Sequence, residues 1–431
     1  MGYTKNLKKR MLTFIIGIFF FYISIYGTLS IFQDTILIRS IKDIALIVLI
    51  LLSFIHIVLF KKYKSNIFII FIISILGGIY LISFLSLLNG NSLVNLGYGI
   101  KISLLPMGGV LLGIYLKNKN IKIQSMLIVV FISLISTWTL QWFSGVDKLM
   151  QLGFEYAVNV KHINGIPRLP SSVGTPDGYA FLLAIIGVLL QVSLLGKNYK
   201  KFAFIVMLLT LSFLVLSTIR SALLLFVFCQ LIVYLKKVST SKQTIKYLYF
   251  TLLSFLMVFS ILILPIAFSS GLSLFSRSSL VDRFSHWFSY LPSLTTSEGF
   301  IGYGLGVVGS ASRRTADLGL NSTDYAVDNQ YIAIFQQLGL LGLIAYFLFF
   351  IIVIWKLLNL HKQAIVKNRT VEVERLDFAV GLVLAVLVSG IFTNILEVYP
   401  FNLFFYVFIG MQLCPLTETR DVINLEKVNL A

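Results

Sequence analysis

Residues 203–235 read AFIVMLLTLSFLVLSTIRSALLLFVFCQLIVYL, and the whole run carries one formal charge, Arg220. At about 1.5 Å per residue a single straight helix of this length would reach about 50 Å, against a bilayer hydrocarbon core of about 30 Å. Two shorter helices hinged at Ser217-Thr218-Ile219-Arg220-Ser221 are the alternative. The flanks decide. Lys197, Lys200 and Lys201 precede the run, and Lys236, Lys237, Lys242 and Lys246 follow it. Basic connections stay on the cytoplasmic side, so both flanks belong inside and the chain crosses twice.

The rest of the sequence obeys the same rule. Of 431 residues, 58% are hydrophobic and only 12% charged, and the mean hydropathy is +0.93. A soluble domain is nearer half apolar and a quarter charged. That excludes a water-soluble enzyme, a disordered chain and a disulfide-stapled secreted fold. The formal net charge of +18 does not point to nucleic acid, because the basic residues sit between apolar runs, facing the anionic inner leaflet. Cys229 and Cys414 both fall inside apolar segments and build no metal site.

Apolar runs of spanning length lie near 11–32, 41–60, 66–88, 96–116, 123–144, 176–196, 247–268, 329–355, 376–396 and 400–416. With the split run they predict an all-α integral membrane protein of about twelve transmembrane helices with both termini cytoplasmic. The start, with Lys5, Lys8, Lys9 and Arg10 before a run too long for a signal-peptide core, reads as an uncleaved first span. The basic segments 61–65, 117–122, 197–201, 236–246 and 356–375 then all fall inside. Residues 1–431 form one membrane domain with two sizeable outer loops, 145–175 and 269–328, the second between helices 9 and 10. Long insertions on one face are where function concentrates.

Arg220 is the sharpest single feature, since an arginine between two apolar helices is costly and wants a partner or a role. The bland alternative is a side chain snorkelling to the interface from a tight turn. The large loop holds Arg277, Arg283, Arg313 and Arg314. Around Arg283, the residues Leu280, Phe284, Trp287, Phe288 and Leu291 make an apolar helical stripe, with Arg283, His286 and Tyr290 on another face. Such a helix would lie at the bilayer surface with its guanidinium at headgroup depth. Gly299-Phe-Ile-Gly-Tyr-Gly-Leu-Gly306 permits close backbone approach to a ligand but is neither a P-loop nor a dinucleotide fingerprint. Asp328-Asn329 precedes the next span as an ordinary helix cap or as a carboxylate base at the helix mouth. No His/Cys metal cluster is visible, and the chemistry fits a phosphate-bearing substrate without a metal or other cofactor.

These features share an order with a known family. Thr-Ile-Arg-Ser-Ala-Leu-Leu (218–224), Asp-Arg-Phe-Ser-His-Trp (282–287), Gly-Tyr-Gly-Leu-Gly (302–306), Val-Asp-Asn-Gln-Tyr-Ile (327–332) and Gln-Leu-Gly-Leu-Leu-Gly (337–342) resemble the O-antigen ligase/polymerase superfamily. The likeness is nearest to the Wzy-type polysaccharide polymerases. Arg-Leu-Pro-Ser-Ser-Val-Gly-Thr-Pro-Asp-Gly-Tyr-Ala (168–180) is similar to the segment leading into a span there. The resemblance covers roughly residues 165–345.

The resemblance implies a metal-independent transferase at the outer face of a bacterial cytoplasmic membrane. It would move a growing glycan from undecaprenyl diphosphate to an undecaprenyl-diphosphate-linked repeat unit, with membrane lipid and a chain-length-regulating co-polymerase as partners. Arg220 and Arg283 would hold the diphosphate, and Asp328 would serve as base or sugar ligand, with His286 in reserve. Arg168 would line the substrate path. Arg277, Trp287, Tyr303, Asn329 and Tyr331 complete the substrate-binding set. The rivals are a ligase passing finished glycan to another acceptor, and a transferase using lipid-phosphate sugars, for which Asp34 and Asp43 are the thin support. A flippase for the lipid-linked unit is the alternative outside the enzymes.

Overall fold

A computed structural model describes residues 2–33, 35–59, 67–121, 123–163, 165–197, 199–238, 295–309, 312 and 327–414. The predicted span 247–268 lies outside them. The described residues are mostly helical. Eight helical stretches are long and apolar enough to cross a membrane: Lys9–Phe32, Ser40–Leu59, Phe68–Asn89, Leu93–Asn118, Gln124–Ser144, Pro176–Leu195, Lys200–Ser217 and Gln330–Val366. Arg220–Tyr234 and Phe401–Leu413 are shorter apolar helices. The molecule is a multi-pass helical membrane protein.

The elements begin with α1 (Gly2–Phe32), α2 (Ile36–Leu59) and α3 (Ile67–Leu85). The fourth predicted span is broken. It starts as α4 (Leu93–Gly99), passes through a π-helical turn at Ile100–Leu104 and a short piece at Leu105–Met107, and resumes as α5 (Gly109–Asn118). Next come α6 (Gln124–Ser144) and α7 (Val146–Gln151), then a hairpin of β1 (Lys161–Ile163) and β2 (Ile166–Arg168) that pairs Lys161 with Arg168. This hairpin qualifies the all-α expectation. The chain continues through α8 (Pro176–Leu195), α9 (Lys200–Ser217), α10 (Arg220–Val238) and α11 (Ser297–Ile301). It closes with α12 (Gln330–Val366), α13 (Thr370–Ser389) and α14 (Phe401–Leu413).

Helix α8 is buried along nearly its whole length, as an all-round apolar helix must be. It packs against α6, α9, α10, α13 and α14. Pro176 opens it at a position where a missing N–H costs nothing. Elsewhere backbones touch. A Cβ on Gly113 would lie 2.1 Å from the Val407 carbonyl oxygen, and one on Gly410 would lie 2.1 Å from that of Val110. Small residues permit this close crossing of α5 and α14, the mode of packing lipid-embedded helices rely on. Helix α1 meets the turn Ser171–Val173 in the same way, with Gly27 against the Val173 carbonyl.

Helix α12 was expected over 329–355; it runs on to Val366, and it is interrupted by Gly339 at φ 64° and ψ −166°. An L side chain rarely adopts that backbone, and glycine does so freely. The kink makes room for the end of α11, whose Phe300 carbonyl oxygen would lie 2.2 Å from a Cβ on Gly339.

Candidate functional site

The hinge expected at 217–221 is real and tight. Helix α9 ends at Ser217, whose hydroxyl donates back to the Leu214 carbonyl at 2.7 Å. Thr218 then turns the chain in the left-handed region, φ 58° and ψ 13°, a conformation that costs a β-branched residue about 1–2 kcal/mol. Arg168 stands against that turn. Its Nε donates to Thr218 Oγ1 at 2.9 Å and its Nη2 to the Thr218 carbonyl at 2.9 Å. Charge-assisted bonds of this kind are about twice as strong as neutral ones, so the arginine offsets the strain of the turn it grips.

Arg220 opens α10 and is exposed. Its charge bears on Arg168: burial first, and the Arg220 charge in addition, push the Arg168 guanidinium below its ordinary pKa, while the Asp177 carboxylate pulls it up. The structure therefore gathers Arg168, Arg220 and Asp177 at one end of the bundle, from three separate stretches of sequence. A guanidinium binds phosphate oxygens in a planar fork, and Arg168 uses only part of its donor set on the turn.

The glycine-rich segment was expected to approach a ligand; what it is seen to approach closely is another stretch of backbone. Within the described structure that backbone belongs to this chain. Tyr303 N–H donates to the Gln336 carbonyl at 2.8 Å and Gly304 N–H to that of Gln337 at 3.0 Å. Asn89 Nδ2 donates to the Gly302 carbonyl at 2.8 Å, and Asn91 Nδ2 to that of Leu305 at 3.0 Å. Tyr303 itself remains 39% exposed.

At the start of α12, Asn329 is the cap: its Oδ1 accepts from the N–H groups of Tyr331 and Ile332 at 3.0 and 3.2 Å. Asp328 beside it is exposed. Tyr331 turns into the helix seam, stacked on Phe347 with centroids 5.4 Å apart, and its hydroxyl donates to the Leu387 carbonyl. Arg277, Arg283, His286 and Trp287 lie outside the described residues.

Two polar clusters at the same end escaped the sequence reading. In the first, Glu397 sits in the irregular link between α13 and α14, 4% exposed. Its Oε1 accepts from Gln337 Nε2 at 3.0 Å and Ser103 Oγ at 3.2 Å, while Gln337 Oε1 accepts from Gly306 N–H at 3.1 Å. These side chains border a cavity of about 30 Å³, room for little more than water. In the second, Asp43 lies between Lys42 and Lys101, at 2.8 and 2.7 Å. Lys42 and Lys101 fall inside apolar runs, and the rule that intramembrane charge is rarely idle was the signal that could have found them.

Among the described residues, no group of three or more His, Cys, Asp or Glu side chains is placed to hold a metal. The sequence matches no protein-family model and no curated protein.

Proposed function

We propose that the protein is a polysaccharide polymerase, transferring a growing glycan from undecaprenyl diphosphate to the next lipid-linked repeat unit outside a bacterial cytoplasmic membrane. The observation that carries this reading is the grip of Arg168 on the Thr218 turn, with Arg220 opening the next helix two residues further on and near enough for its charge to bear on Arg168. In this reading the chain crosses twelve times, the termini are cytoplasmic and that end faces outward, as the basic connections require. The arginines bind the diphosphate oxygens and stabilise charge growing on the leaving group as the anomeric carbon is attacked, a form of preorganised electrostatics. In this reading Arg283, outside the described residues, also binds the diphosphate. Asp328, exposed beside the α12 cap, takes the acceptor hydroxyl proton or orients the sugar.

The test is a deletion strain with the glycan sized on its lipid carrier. Single repeat units on undecaprenyl diphosphate are the expected outcome. Long chains stranded on the lipid would make the protein a ligase, and units trapped inside the cell would make it a flippase.

A further inference from the structure

The transfer reading leaves one charged group of the same end without a task. Lys42 lies about 9 Å along α2 from its start, its side chain 9% exposed, and Asp43 bridges it to Lys101. The Lys42 ammonium is also held over the rings of Tyr26 and Tyr399, 4.6 and 4.8 Å from their centroids. Lys101 is carried by the π-helical turn Ile100–Leu104, and its side chain is 37% exposed. Such turns inside helices are frequent at functional sites.

Stability is a poor reason for this triad, because apolar replacements of buried ion groups are often neutral or stabilising. Its three side chains sum to one positive charge, and Lys101 is the more exposed of the two cations. Its position is telling as well. Helix α1 meets the triad through Tyr26, while Thr28 donates to the Ser171 carbonyl at 3.1 Å and Ser172 donates to that of Ser24 at 3.3 Å. The triad and the Arg168 loop thus stand on either side of the same helix end.

We propose that Lys101, with the buried Lys42 adding its charge from behind, seats the phosphate headgroup of a second polyprenyl diphosphate lipid, separate from the one at Arg168 and Arg220. This rests on the transfer reading, in which a donor and an acceptor each bring a lipid-borne diphosphate. Asp43 holds the two ammonium groups in place and moderates their charge.

The experiment uses the full chain in phosphatidylcholine nanodiscs, titrated with undecaprenyl diphosphate and read by native mass spectrometry. Wild type takes up two equivalents. Lys101→Gln weakens one of them roughly tenfold, the scale of one lost charged hydrogen bond. Asp43→Asn raises the charge of the site and tightens that same equivalent, whereas a purely structural triad would lose affinity or stability. Arg220→Ala weakens only the other equivalent. A single equivalent in wild type, no response to either triad variant, or weaker binding by Asp43→Asn would overturn the second site. So would equal displacement by phosphatidylglycerol, which would mark a general lipid contact. Failure of the transfer reading registers separately, in the deletion strain, as long chains stranded on the lipid or units trapped inside the cell, whatever the triad variants do.

Discussion

Arg168 reaches across fifty positions of sequence to hold Thr218 by side chain and backbone at once, through Nε and Nη2 at 2.9 Å each. The contact turns a strained hinge between two apolar helices into a fixed platform, two residues before Arg220 opens the next helix. Arg168→Ala and Arg220→Ala should each lower glycan transfer by a hundredfold or more, about 3 kcal/mol of transition-state stabilisation. Arg168→Lys should recover little, because an ammonium lacks the planar fork. Turnover of a purified lipid-linked substrate, with protein level in the membrane as control, is the measurement; wild-type rates in either Ala variant would remove that residue from the site.

Thr218→Gly separates stability from activity. Glycine adopts the left-handed turn without the penalty that threonine bears, but it removes the hydroxyl that accepts from Arg168 Nε. The melting temperature should hold or rise while transfer falls about tenfold, the loss of one charge-assisted bond. Differential scanning fluorimetry beside the transfer assay gives both numbers.

Gly339→Ala should destabilise the protein. Its φ of 64° is unfavourable for alanine, and the new methyl would lie 2.2 Å from the Phe300 carbonyl oxygen. The strained backbone alone costs about 1–3 kcal/mol. A lower melting temperature, together with faster proteolysis of the 302–309 segment, is the expected result.

Glu397→Leu should cost more than Glu397→Gln. The leucine strands Gln337 and Ser103, whose donors now end on the carboxylate, at about 1–3 kcal/mol for each unsatisfied buried group. The glutamine keeps an acceptor in place. Equal melting temperatures for the two variants would show that these bonds do not hold the link to the bundle.

Sidedness is testable without any substrate. With Cys229 and Cys414 replaced by serine, Tyr303→Cys should react with a membrane-impermeant maleimide in intact cells, and Lys367→Cys only after lysis. The reverse pattern would invert the proposed orientation.

Much of the scaffold was legible because hydropathy and flanking charge are local properties. The break expected at 217–221 followed from a run too long for one span, and the structure places its turn at Thr218. Of the two roles offered for the Asp328-Asn329 pair, the cap resolved onto Asn329, which uses the nearest N–H groups. The break at Ile100–Leu104 stayed hidden, because a shift in hydrogen-bond register leaves apolar composition unchanged. The hairpin at 161–168 is too short to show a period. Thr218 as the partner of Arg168, and Glu397 with Gln337, join residues far apart in sequence, and no local pattern announces such pairs.

Gly27 is pressed so closely on the Val173 carbonyl that a Cβ there would come within 1.6 Å of the oxygen. The opening helix is thus built into the bundle and cannot serve as an interchangeable anchor. Grafting on a foreign apolar segment of equal length, a swap that greasiness alone would judge silent, would unseat the arginine-bearing loop unless a glycine arrived at that same height.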